Sequence, residues 1–183
     1  MANQPRVAKV LFSLVVSMAI GAIVLLMLDG RPLPGGAFSL SSYSHLNSVE
    51  QAITTRAGLE RHRWNRIEVF YSRTAGGNIE QLASLMGLPN EDEVNFHFLI
   101  CNGRGGGDGQ INATQKWINQ WSCLPGGIWY GSSQTIRICL TGDGKKVLST
   151  DSQIKRTSAL IEALIRKYEI IPRHVYYPAN WQF

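Results

Sequence analysis

Two patterns of hydrophobic and polar positions divide the chain. Residues 10–28 run without a single charge, and only Ser13, Ser17 and Gly21 interrupt the aliphatic, Met and Phe residues there. At ~1.5 Å per helical residue, such a run reaches ~28 Å, close to the ~30 Å hydrocarbon layer of a bilayer. The pattern predicts one transmembrane helix over 10–28. Glycine, proline and then serine dominate 29–47 (Asp29-Gly30, Pro32, Pro34-Gly35-Gly36), which predicts a linker. From residue 48 to 183 the periods shorten and alternate, as expected of one compact α/β domain.

Within that domain, Asn47 or Ser48 can cap a short helix over 48–62, with Gln51 completing a capping box. Ile67–Tyr71 alternates as a strand. Thr74–Asn78 is a turn with a cap, leading into a helix over Ile79–Met86. Val94, Phe96, Phe98 and Ile100 share one parity, predicting a strand over 94–100 with these four side chains on one face. Asn102–Gly109 is a glycine-dominated loop of the hairpin type. Thr135–Thr141 is apolar almost throughout and predicts a central strand. Thr150 and Gln153 frame a capping box for a helix over 151–168, with Ile154, Ile161, Leu164, Ile165 and Tyr168 as its apolar face. Pro172 stops that helix, and a short terminal strand or tail follows.

The charge distribution sets the orientation of the predicted span. Arg6 and Lys9 precede it, whereas Asp29 and Arg31 cancel behind it, so residues 1–9 are expected in the cytoplasm and the domain outside. Leu28-Asp29-Gly30-Arg31-Pro32 offers no small-x-small cleavage site, which favours an uncleaved anchor over a signal peptide. Ser13, Ser17 and Gly21 lie one turn apart on one helix face. That spacing permits a close homodimeric crossing, although such residues are also tolerated singly in spans. The 183 residues carry a net charge of +5. Residues 29–183 hold all 13 acids and 16 of the 18 bases, so the domain is only mildly basic and nucleic acid is not an expected partner.

The residues themselves point to no chemistry. The loop from Asn102 to Gly109 lacks the Lys and Ser/Thr of a phosphate-binding loop. His45, His62, His97 and His174 share no metal-ligand spacing, and Ser72 has no nucleophile elbow around it. His97 and Cys101 fall on one face of the predicted strand, so a zinc site with a further thiol is conceivable, beside the simpler reading of a structural histidine. Glu91-Asp92-Glu93 reads as a solvated turn. Cys101, Cys123 and Cys139 fit either three buried thiols or one disulfide and a free thiol.

The order of local phrases resembles that of the zinc-dependent N-acetylmuramoyl-L-alanine amidases, a family that includes the peptidoglycan recognition proteins and phage-lysozyme amidases. The phrases are Trp64-x-x-Ile67-x-Val69-Phe70-Tyr71-Ser72-x-Thr74, Phe96-His97-Phe98-x-Ile100-x-Asn102-Gly103, Gly107-Asp108-Gly109-x-Ile111 followed by Trp117 and Gln120, and Ile136-Arg137-Ile138-Cys139-Leu140-x-Gly142-Asp143. They span about 64–178. The resemblance implies an α/β domain with a central mixed β-sheet flanked by helices. It also implies peptidoglycan as partner, and together with the predicted span and its flanking charges this gives the expectation of a bacterial cytoplasmic (inner) membrane location, single-pass, with the domain on the periplasmic or outer side.

The same resemblance implies three zinc ligands, and this chain departs from them. Phe70 stands where the first ligand histidine is usual and Pro178 where the late histidine is usual, while the third position falls past Phe183. Phe96 replaces a tyrosine, and Gly127 and Ser132 replace a groove histidine and asparagine. Neither Phe nor Pro can ligate a metal through its side chain, so no zinc is expected. The expected product is a non-catalytic peptidoglycan-binding domain whose groove is lined by Phe70, Tyr71, Ser72, Phe96, His97, Trp129, Tyr130 and Ser132. Two alternatives remain: an active zinc amidase with displaced ligands such as His97, Cys101 and Cys123, and a structural subunit of an envelope assembly with a filled groove.

Overall fold

The computed structural model describes residues 10, 12, 14–18, 46–56, 58, 63–123 and 134–181. The chain forms two compact units, Met1–Ser39 and Leu40–Phe183. In the first, residues 10, 12 and 14–18 are helical and exposed. Among the described residues no helix is long and apolar enough to cross a membrane. Most of the predicted span and linker, including Ser13 and Gly21, lies outside them, as do residues 1–9.

The second unit is a mixed α/β domain. Its elements are α1 (Val49–Ala52), β1 (Arg66–Tyr71), α2 (Ile79–Leu85), a 3-10 turn (Glu91–Glu93), β2 (Phe98–Ile100), β3 (Ile111–Ala113), α3 (Gln115–Ile118), β4 (Thr135–Leu140), α4 (Asp151–Tyr168), a second 3-10 turn (Pro172–His174) and β5 (Val175–Tyr176). The strands lie in the order β3-β2-β4-β1-β5. β4 runs parallel to β1 and β2, β5 runs parallel to β1, and β3 is antiparallel to β2. The central place predicted for the third strand is the place of β4, buried along its whole length.

Alternation along the strands builds two cores. Ile67, Val69, Phe98, Ile100, Ile136, Ile138 and Leu140 meet Leu160, Ile161, Leu164 and Tyr168 of α4, with Trp64 and Trp117 alongside. Leu99, Cys101 and Cys139 meet Leu82 and Ala83 of α2 on the opposite face, with Phe70 at the margin. The expected strand over 94–100 is corrected here. Only 98–100 are extended in the sheet, and Val94 and Phe96 join the α2 face while Phe98 and Ile100 join the α4 face. The phase breaks at His97. Its N–H bonds Arg137 C=O, and its ring, like that of Phe98, turns toward the α4 face, where it meets Trp64 at 4.8 Å.

The predicted caps form. Ser48 with Gln51, Asn78 with Gln81 and Thr150 with Gln153 each make both bonds of a capping box. The first helix is nevertheless one turn rather than 48–62, because Arg56 N–H goes to Ile118 C=O instead of back along the helix. The loop 102–109 joins β2 to β3 as a hairpin. Gly105 has a φ of +90°, and a Cβ there would lie 2.7 Å from Gly77 Cα. α4 ends at Glu169, whose φ of 57° closes it before Pro172 is reached. Its buried face includes three polar residues that periodicity does not pick out, Gln153, Arg156 and Thr157.

Candidate ligand groove

Parallel strands deliver their carboxyl ends to one side of a sheet, and the residues that follow them line whatever crevice forms there. Here the ends of β1, β4 and β5 frame an open depression of about 900 Å³, lined by Glu68, Phe70, Tyr71, Ser72, Arg73, Met86, Arg137, Asp143, Lys145 and Pro178.

Its floor is a cross-strand pair. Glu68 of β1 is in register with Arg137 of β4. Arg137 Nε–H donates to Glu68 Oε2 at 2.9 Å and Nη1–H donates to Asn95 C=O at 2.7 Å. The guanidinium carbon sits 4.4 Å from the centroid of the Phe70 ring, a cation–π contact.

The walls are held by local geometry. Tyr71 accepts a hydrogen bond from Ser149 Oγ at 3.1 Å. Its ring lies against Gly144 (φ +67°), where a Cβ would come within 2.4 Å of a ring carbon. The Ser72 hydroxyl lies 2.8 Å from Thr74 Oγ1 and accepts from Gly142 N–H at 3.3 Å, joining the two loops that follow β1 and β4. Asp143 Oδ1 accepts three backbone N–H bonds at 2.8 Å, from Lys145, Lys146 and Val147. Those bonds, the Val147 N–H first, hold its carboxyl below the usual carboxylate range. Pro178 follows β5, and Asn180 Nδ2–H ties the same tail to Gly144 C=O at 3.1 Å.

Of the residues expected to line a groove, Phe70, Tyr71 and Ser72 meet in this depression, with Pro178 opposite them in sequence. Phe96 and His97 are buried and do not line it. Phe96 packs beneath Phe70, ring centroids 6.5 Å apart. Gly127, Trp129, Tyr130 and Ser132 lie outside the described residues. Glu68, Arg73, Met86, Arg137, Asp143 and Lys145 also line the depression and escaped the sequence reading. A charged residue inside the apolar run 135–141 was the one available signal for Arg137, but its pairing with Glu68 depends on strand register.

His97 occupies a closed environment. Nδ1 accepts the N–H of Arg137 at 2.9 Å, so Nε2 carries the proton and donates to Trp121 C=O at 2.9 Å. Burial pushes its pKa down to about 3; the Trp121 bond opposes this and the Arg137 charge adds to it. Cys123 Sγ lies 3.5 Å from Nδ1. Cys101 sits on the α2 face instead, 3.4 Å from Asn112 Nδ2, which corrects the expectation that it shares a face with His97. Burial raises the Cys101 thiol to about 11, Cys123 to about 12, and Cys139 further. All three are free and buried. Among the described residues no three His, Cys, Asp or Glu side chains gather to hold a metal. The residues at the resembled ligand positions do not fit zinc, since Phe70 and Pro178 bring no donor atom.

No protein-family profile matches the chain, and no curated protein matches it in sequence. Among solved structures it is similar to N-acetylmuramoyl-L-alanine amidase LysC from Clostridium intestinale URNW, at 20% identity and a TM-score of 0.43, over 68% of this chain and 76% of that one. It is also similar to the endolysine N-acetylmuramoyl-L-alanine amidase LysCS from the same organism, at 19% identity and a TM-score of 0.42, over 73% of this chain and 82% of that one.

Proposed function

We propose that this chain is a membrane-anchored domain of the N-acetylmuramoyl-L-alanine amidase type that binds peptidoglycan at the carboxyl ends of β1, β4 and β5 without hydrolysing it. The observation that carries this reading is the meeting of Phe70 and Pro178 in one depression. They are far apart in sequence and occupy positions where the resembled family places two metal-binding histidines. Their convergence supports that correspondence, and neither side chain offers a donor atom to a metal. What remains is a concave surface with an aromatic wall, a hydroxyl and charges of both signs, a lining suited to sugar rings and a charged peptide. Residues 10–28 hold the domain at the outer face of a bacterial cytoplasmic membrane.

A second reading is favoured by the packing of Phe70 between Phe96 and the Arg137 guanidinium. In it the groove has filled with its own side chains, and the domain serves a membrane assembly as a structural subunit.

Sedimentation of the full-length protein in detergent with purified cell-wall sacculi separates the two. Binding is expected, with no release of stem peptide, and treatment with a chelator leaves both results and the melting temperature unchanged. Tyr71→Ala lowers the sedimented fraction several-fold. Failure to sediment above a cellulose control favours the structural subunit. Release of stem peptide, abolished by chelator, overturns the non-catalytic reading.

A further inference from the structure

β3 is an edge strand, paired with β2 alone. Gln110 C=O accepts from Cys101 N–H and Thr114 N–H donates to His97 C=O, so the even-numbered residues of this stretch turn their backbone groups toward β2. By the alternation of an antiparallel ladder, Ile111 and Ala113 turn theirs outward. Among the described residues no hydrogen bond takes up those outward N–H and C=O groups. Exposed edges are usually blunted by a charge, a proline or a bulge. Ile111-Asn112-Ala113 has neither charge nor proline, and its register with β2 runs without a bulge.

An open cleft of about 610 Å³ runs along this edge and shares no residue with the depression described above. Gln51 and Ala52 of α1 line one side; Asn78 and Glu80 at the start of α2 line the other, with Glu91. α1 packs on the α4 face of the sheet through Val49 and Ala52, and α2 on the opposite face through Leu82 and Ala83. The two sides therefore differ in character. Glu80 and Glu91 are exposed, and among the described residues no base lines the cleft. Ala52 and Ile111 make the α1 side apolar. A strand added to β3 alternates its side chains between these two sides. Basic side chains at one parity then face Glu80 and Glu91, and apolar ones at the other face Ala52 and Ile111.

We propose that this cleft takes an extended segment of a partner protein, with basic and apolar residues alternating, as a sixth strand of the sheet. Backbone hydrogen bonds to Ile111 and Ala113 supply the affinity, and the two carboxylates select the basic parity. Such a partner docks independently of whatever the depression holds, since the two sites have no residue in common.

Fluorescence anisotropy on the full-length protein in detergent tests this with a labelled, end-blocked Lys-Val-Lys-Val-Lys peptide. Saturable binding is expected, and the bound peptide should protect the amides of Ile111 and Ala113 from hydrogen exchange. A Glu-Val-Glu-Val-Glu peptide should bind at least about tenfold more weakly, the scale of losing contacts between opposite charges. A fully N-methylated lysine peptide keeps charge and side chains but loses every backbone donor, and it too should bind about tenfold more weakly or worse. Ala113→Pro removes an outward N–H without touching the ladder to β2, and should weaken the lysine peptide about fivefold or more. If that variant fails to fold, Glu80→Gln with Glu91→Gln decides, since both side chains are exposed; it should level the preference for the lysine peptide over the glutamate peptide. No binding of the lysine peptide, or equal binding of its N-methylated form, overturns the proposal. So does a concentration-dependent dimer that Ala113→Pro dissolves, which would give the edge to a second copy of this chain.

Discussion

His97 shows how one residue ties stability to pH. Its ring accepts one backbone N–H and donates to one carbonyl, so both nitrogens are committed in the neutral form and a second proton on Nδ1 would face a donor. The unfolded imidazole titrates near 6.5 and the folded one near 3. Between those values the unfolded chain binds a proton that the folded chain refuses. The stability contributed by neutral His97 is therefore fully present above pH ~6.5 and is lost as pH falls through 3, on the order of 5 kcal/mol in all at ~1.4 kcal/mol per unit. Urea unfolding of the full-length protein in detergent should show a falling midpoint from pH 7 to pH 4, and His97→Gln should flatten that dependence. An unchanged slope in the variant would assign the acid sensitivity to other groups.

At the scale of the element, α4 joins a legible signal to a hidden one. The capping box of Thr150 and Gln153 and the apolar stripe could be read from spacing, because both are local. Gln153 also donates through Nε2 to Ile100 C=O at 2.9 Å and Thr141 C=O at 3.0 Å, closing the ends of β2 and β4. Arg156 reaches Gly109 C=O at 3.2 Å and Asn47 C=O. Those partners are distant in sequence, so hydropathy reads both side chains as solvated. Thr150→Ala should cost about 1 kcal/mol, the value of a cap. Gln153→Leu should cost more, roughly 2–4 kcal/mol, since it takes the side-chain donor from the buried Thr141 carbonyl, leaves Ile100 C=O with the Thr141 N–H, and also removes the Gln153 half of the capping box. Denaturant midpoints of the two variants check the order, and a neutral Gln153→Leu would mean the Thr141 carbonyl finds another donor. The segment 94–100 is the complementary case. Perfect period-two spacing there predicts one face, yet the bonds made by His97 shift the phase within it.

For the whole molecule, the proposed anchor sets the topology. Protease added to intact spheroplasts should remove the domain beyond residue 28, and a reporter fused after Phe183 should be active only outside the cytoplasm, in keeping with Arg6 and Lys9 on the inner side. A protected domain would reverse the orientation. On the same helix, Ser17→Leu with Gly21→Leu should abolish self-association in a membrane two-hybrid assay while insertion persists. Pairing at the parental level would show that the small residues serve no crossing.

Sequence alone determined what depends on neighbours a few positions apart: two capping boxes and the cap at Asn78, the glycine hairpin, the central apolar strand β4 and the extent of α4. It also marked Phe70, Tyr71, Ser72 and Pro178, through phrases that carry no information about distance. Tertiary structure alone decided that Pro178 lines the same depression as Phe70, because β5 pairs with β1 only after the whole domain has closed. It decided equally that Glu68 faces Arg137 and that Phe96 and His97 lie beneath the groove rather than in it. Strand register and the phase of side chains along a strand are set by hydrogen bonds between segments distant in sequence, and the charged floor of the groove exists only because of them.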